Sequence, residues 1–180
     1  PAIVKKLPLS LEEVFSGCQK KVAIERRIVD GSSGKQLMVK ESFVIDVPMA
    51  VVDGQQLVYP GMGHEEEGYE DTGDLILIIT EIEHFLFRRE GNDLIHEVEI
   101  TLQQALAGCH LELPSLEPLR PITLQVDEEV VVDGDVHIVP HRGMPYPQQD
   151  GQVIYGDMRI EMRVLMPKGP LSPEKKVEIF

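Results

Sequence analysis

No stretch of this chain stays apolar for anything near the roughly 20 residues that a bilayer-spanning helix needs, and its start carries no secretory apolar region. Cysteine is scarce: Cys18 and Cys109 are the only two in 180 residues, too few for a disulfide scaffold. Each is expected to pack as a small apolar residue in a reducing compartment. The six histidines are scattered and none has zinc-ligand spacing with the cysteines. Basic residues are outnumbered, with Lys+Arg 17 against Asp+Glu 31, for a net charge of −14. That balance argues against a surface that tracks nucleic-acid phosphates. There is no P-loop, no GxGxxG and no GxSxG. Asp71-Thr72-Gly73 matches an aspartic-protease triplet, but an acidic loop precedes it and no second copy exists. Glu65-Glu66-Glu67 reads as a solvated charge run, with Ca²⁺ binding as the lesser alternative. The expectation is no catalysis, no metal, no cofactor, no nucleic acid and no membrane.

What the chain has instead is repetition. Leu9 to Cys18, LSLEEVFSGC, matches Ile100 to Cys109, ITLQQALAGC, position for position. Each copy spells one short helix with both ends encoded. Ser10 with Glu13, and Thr101 with Gln104, are spaced as capping boxes. Leu9 with Val14, and Ile100 with Ala105, are spaced as hydrophobic staples. Gly17 and Gly108 stand where a helix ends. Two further blocks repeat in the same order: VDGQQLVYPGMG at Val52 with VDGDVHIVPHRGMP at Val132, and GDLILIITEI at Gly73 with GDMRIEMRVLM at Gly156. Three matching blocks in one order point to two copies of one domain in tandem.

Between these blocks the pattern is that of strands. Lys20, Val22 and Ile24 share one face of a strand, and Lys21, Ala23 and Glu25 the other. Asp30 to Gly34 is a hairpin loop, and Gln36 to Val47 returns with Val39, Phe43, Ile45 and Val47 on its apolar face. His64 to Gly73 reads as a solvated loop, Phe85 to Asp93 as a linker, and Pro140 to Gly151 as a loop. In the five-residue apolar run Leu75 to Ile79, Ile76 and Ile78 are assigned to the core. Leu75, Leu77 and Ile79 are then placed with Val22 and Ile24 on an outward apolar strip, edged by Lys20 and Lys40. Periodicity leaves open a sandwich buried on both faces. The fold expected is mainly β: two tandem, similar, β-sandwich-like domains with one short helix each, spanning 1–88 and 89–169. A helix starting near Ser172 begins a C-terminal segment, 170–180.

Several motifs resemble one family. LPLSLEEVFSG, GDLILIITEIEHFLFRREGNDL, ITLQQALAG, GMP and LSPEKK run in the order found in DnaJ-like J-domain co-chaperones, the 40-kDa heat-shock family. The pattern H-x-x-F-x-R-x-G-x-D-L is met from His84 to Leu94. The chain is similar to the tandem C-terminal substrate-binding domains. Its short Val29 to Gly34 loop, in place of a cysteine-rich insert, resembles class II (type B).

The resemblance implies a chaperone role in the cytoplasm: binding unfolded client polypeptides and the acidic Glu-Glu-Val-Asp tail of a 70-kDa heat-shock chaperone. The family's client groove falls on Leu7, Val22, Ile24 and Leu77, and its tail-binding lysines on Lys20 and Lys40. A third family lysine falls on Ile82 and one apolar groove position on Lys5. His141 replaces a usual Gly, and Ser115 to Pro118 replaces a usual turn. The J-domain's His-Pro-Asp triplet and a Gly/Phe-rich linker are absent here, so the expectation is client binding without stimulation of ATP hydrolysis. The segment after Ser172 resembles the dimerisation segment, implying a homodimer. The competing reading is a purely structural tandem module serving only oligomerisation.

Overall fold

A computed structural model describes residues 2–117, 120–170 and 172–174. The chain forms two compact units, Pro1–Glu83 and His84–Phe180, and both are mainly β. Residues 84–88, assigned to the first domain from sequence, lie in the second unit. The segment expected to begin a dimerisation helix shows one helical step at Pro173 and Glu174, and residues 175–180 lie outside the described residues.

In the first unit, β1 (Ile3–Leu9) leads into α1 (Leu11–Ser16), then β2 (Cys18–Val29), β3 (Gln36–Val47), β4 (Gln56–Tyr59) and β5 (Leu75–Glu81). Sheet order is β1-β5-β4, with β2 and β3 as a separate two-stranded ladder. β1 runs parallel to β5, with Ile3 beside Leu75 and Leu7 beside Ile79. β2 and β3 pair over their full length, from Cys18 opposite Val47 to Val29 opposite Gln36.

The second unit repeats this plan with additions. It carries β6 (Phe87–Glu90), β7 (Asp93–Thr101), α2 (Leu102–Ala107), β8 (Cys109–Leu113), β9 (Ile122–Val126), β10 (Val136–Val139), β11 (Pro145–Pro147), β12 (Val153–Tyr155) and β13 (Met158–Leu165). Its main sheet is ordered β10-β13-β7-β6. The parallel pair β7–β13 matches β1–β5. Two additions went unread in the sequence. β6 folds back on β7 out of the expected linker, and β11 pairs with β12 across a stretch read as loop.

The repeat extends to single hydrogen bonds. Both capping boxes form: the Glu13 N–H donates to Ser10 Oγ at 3.2 Å and the Ser10 N–H to Glu13 Oε1 at 3.1 Å. Thr101 and Gln104 do the same at 3.1 and 2.9 Å. The staple residues Leu9, Val14, Ile100 and Ala105 are all buried. Gly17 and Gly108, at φ 74° and 89°, take up the left-handed side of the map after each helix. In the two VDG turns, Asp53 accepts from the Glu81 N–H and Asp133 from the Val164 N–H. Gly63 and Gly143 each donate to the glycine that opens the last sheet strand, Gly73 and Gly156. A Cβ on Gly63 would meet the Asp74 carbonyl at 2.5 Å, and one on Gly143 the Asn92 carbonyl at 2.5 Å. Neither position has room for a side chain.

The core of the first unit draws buried side chains from β1, α1, β2, β3 and β5. Leu75, Leu77 and Ile79 of β5 are fully buried, while Ile76 and Ile78 are half-buried. The phase expected for β5 is therefore reversed. β5 is the central strand, flanked by β1 and β4. Its odd-numbered side chains share a face with Leu7.

Candidate functional site

The residues expected to form an open strip are covered. Leu7, Val22 and Ile24 retain 4–6% of their surface, and Leu77 retains none. Register explains this. Val22 stands opposite Phe43 and Lys20 opposite Ile45, and paired residues in an antiparallel ladder point to the same side. Val22 and Ile24 therefore share the side of Ile45 and Val47, the buried side, rather than an outward one.

The two lysines also separate. Lys20 lies on that inner side, where its Nζ sits 2.6 Å from the Glu13 carboxylate of the capping box. Burial opposes Glu13 ionisation, but the Lys20 ammonium and the Ser10 bonds outweigh it and hold its pKa below the ordinary value. Lys40 stands opposite Glu25 on the outer side, 3.5 Å from its carboxylate and exposed. Ile82, where a third family lysine falls, is exposed.

What the first unit leaves open is a cleft of about 400 Å³ between Ile3–Lys5 of β1 and Ala23–Glu25 of β2, with Lys40 at its margin. Ile24 contributes its floor. Val4 is 61% exposed beside it. Lys5 crosses the cleft, its ammonium donating to the Ala23 carbonyl. Lys5 is also the ladder neighbour of Leu77. Its side chain thus occupies the core-side position next to the buried Leu77 that an apolar residue would otherwise fill.

Both walls of the cleft are strand edges. β1 pairs with β5 on one side only, and β2 with β3 on one side only, among the described residues. Along β2 the odd-numbered residues present their backbone groups away from β3. The Ala23 carbonyl takes the Lys5 ammonium. Further along, the Arg27 N–H donates to His64 Nδ1 at 3.0 Å, the Val29 N–H to Glu65 Oε2 at 2.8 Å, and the Glu65 N–H to the Arg27 carbonyl at 2.9 Å. Arg26 adds an ion pair to Glu65 at 3.4 Å. His64 and Glu65 therefore strap the distal half of the β2 edge and leave Lys21, Ala23 and Glu25 without a partner strand. Glu65, read from sequence as part of a solvated run, is a structural ligand of that edge. The signal for this role is absent from local pattern, because its partners lie 36 and 39 residues away.

Among the described residues, no group of three His, Cys, Asp or Glu side chains is placed to hold a metal. Burial raises the pKa of both cysteine thiols, with Glu13 adding to the effect at Cys18 and Lys20 opposing it.

Repeated β-units, each with a boxed short helix and a parallel strand pair, with an unpaired edge beside a cleft in the first, define a tandem β-edge module. The chain belongs to the DnaJ C terminal domain family, whose model matches residues 3–167. It is similar to Protein psi1 of Schizosaccharomyces pombe, 31% identical over 97% of this chain and 44% of that protein. It is similar to Chaperone protein DnaJ 2 of Aquifex aeolicus, 33% identical over 78% of this chain and 38% of that protein. With DnaJ homolog subfamily B member 5 of Homo sapiens it shares 27% identity over 98% of this chain and 49% of that protein. The chain spans less than half the length of these relatives.

Proposed function

We propose that this chain is the polypeptide-binding part of a cytoplasmic DnaJ-type co-chaperone. It holds extended segments of unfolded clients, and the acidic tail of a 70-kDa heat-shock chaperone, against the first unit. The observation that carries this reading is the β2 edge at Lys21, Ala23 and Glu25, which has no partner strand among the described residues and whose Ala23 and Glu25 border a cleft with an apolar floor. An extended peptide added there gains main-chain hydrogen bonds for affinity and places alternate side chains toward the floor for selectivity. Because Leu7, Val22, Ile24 and Leu77 are buried, they act as the floor and its support rather than as an exposed strip. Lys40 at the margin, and Lys20 once released from Glu13, supply charge-assisted contacts to tail carboxylates. The reading includes no catalytic step. A dimer formed through the segment after Ser172 would present two such edges to one client and raise avidity without new contacts.

The test removes one hydrogen-bond donor. Ala23→Pro deletes an outward N–H while the ladder to β3 uses the neighbouring residues, and proline is tolerated at such edge positions. Suppression of client aggregation, and binding of a labelled Glu-Glu-Val-Asp peptide, should fall while the melting transition is kept. Lys5→Val should act in the opposite sense on apolar clients, since it uncovers the floor beside Leu77. A folded Ala23→Pro protein that binds both ligands unchanged would reject the β2 edge.

A further inference from the structure

In the second unit β10 turns its apolar side chains outward. Val136 and Ile138 are 49% and 62% exposed, while His137 and Val139 between and beyond them are half-buried. Val130 and Val132, on the loop before β10, are 56% and 62% exposed. Four β-branched side chains thus stand in water around one strand. That strand is the edge of its sheet, paired only with β13 among the described residues.

Beside it lies a cleft of about 780 Å³, between the end of β9 with its following loop and the start of β10. Its rim is acidic, formed by Asp127, Glu128, Glu129 and Asp135. Asp127 accepts from the Gln125 amide at 2.6 Å and Asp135 from the Val132 N–H at 2.8 Å. No basic side chain pairs with any of the four among the described residues. Asp135 closes its turn as Gln55 does in the first unit, but the first unit has no counterpart to the run Asp127 to Glu129. Val126 pairs with Cys109 as Val47 pairs with Cys18, so the acids of the second unit follow its strand where Pro48 and Met49 follow that of the first.

We propose that this cleft is a separate docking surface for extended polypeptide segments in which Lys or Arg flanks β-branched residues. The open β10 edge supplies main-chain pairing, the exposed valines and Ile138 supply apolar contact, and the unneutralised carboxylates select cationic flanks. The surface is independent of the β2 edge and stands or falls without it.

The experiment measures fluorescence anisotropy of a labelled peptide of alternating Val and Thr with Lys at both ends, and of its twin with Glu at both ends, on the full chain. Glu128→Lys with Glu129→Lys should weaken the Lys-ended peptide about tenfold. The control Glu67→Lys with Glu70→Lys makes the same change in net charge on the exposed loop of the first unit and should have little effect. Ile138→Ser should weaken binding without altering its salt dependence. Equal loss in the cleft variant and the control, no loss in either, or equal binding of the Glu-ended twin would overturn the proposal.

Discussion

Glu13 performs two tasks with one carboxylate. It closes the capping box on Ser10 and it holds Lys20 at 2.6 Å. The second repeat separates these tasks, because Gln104 closes the same box with an amide. Glu13→Gln should therefore keep α1 capped and release Lys20. The expected outcome is tighter binding of an acidic-tail peptide, by up to about fivefold for a partly exposed pair, with an unchanged melting point. Titration calorimetry checks this; weaker binding would mean that Lys20 must stay anchored to Glu13 to work. A second residue carries strain that its twin avoids. His141 has φ 61°, where the first repeat has Gly61 at φ 76°. A side chain in that conformation costs roughly 1–2 kcal/mol, partly offset by the chain entropy a glycine loses. His141→Gly should thus raise stability by about 0.5–1 kcal/mol, read as a higher denaturation midpoint.

At the scale of elements, the strap across β2 is set to respond to acid. The Arg27 N–H donates to His64 Nδ1, so the bond needs an unprotonated ring nitrogen. Burial, then the Arg27 and Arg26 guanidiniums, push the His64 pKa below its ordinary 6.5, with Glu66 opposing. The folded form binds the proton less readily than the unfolded form. The strap's contribution is therefore fully present above pH 6.5 and is lost as pH falls through the lowered folded value. Amide protection at Arg27 and Val29, taken relative to the intrinsic exchange rate at each pH, should fall over that window, and His64→Gln should flatten the response. The elements themselves were legible to different degrees. Both helices could be read to the residue, because caps and staples are local chemistry. The phase of β5 could not: Leu75 to Ile79 has no polar residue to mark its outer side, and only the pairing with β1 and β4 decides it. β2 misled for a related reason, since Lys20 sits on the buried side beside Val22 and Ile24, held there by Glu13. β6 hides its single buried anchor, Phe87, among Arg88, Arg89 and Glu90, and the prolines of β11 disguise a strand as a loop. Of the residues expected around a groove, Ile24 and Lys40 border the β1–β2 cleft while Leu7, Val22 and Leu77 are buried; the strand edge beside them is a property of pairing and leaves no mark in composition.

For the whole molecule, a net charge of −14 spread over 180 residues opposes compaction through self-repulsion. Moderate salt should screen that repulsion within a Debye length of about 8–10 Å. The melting temperature should climb as sodium chloride is added at low ionic strength, while affinity for a Lys-ended peptide falls under the same titration. A melting point that drops with salt would show that the ion pairs, such as Arg159 with Glu90 at 2.6 Å, outweigh the net field.

The parallel pairing of β1 with β5 also sets an order of events during synthesis. Ile3 must find Leu75, which follows it in the chain only after β2, β3 and β4. While the ribosome is still making the intervening chain, β2 and β3 can zip together locally, but their greasy underside has nothing to rest on. Contacts of such long sequence separation form slowly, and leave hydrophobic surface uncovered meanwhile. A nascent copy of this domain therefore passes through an interval in which it displays the kind of surface that other chaperones recognise, and that interval ends only when Ile79 has left the exit tunnel.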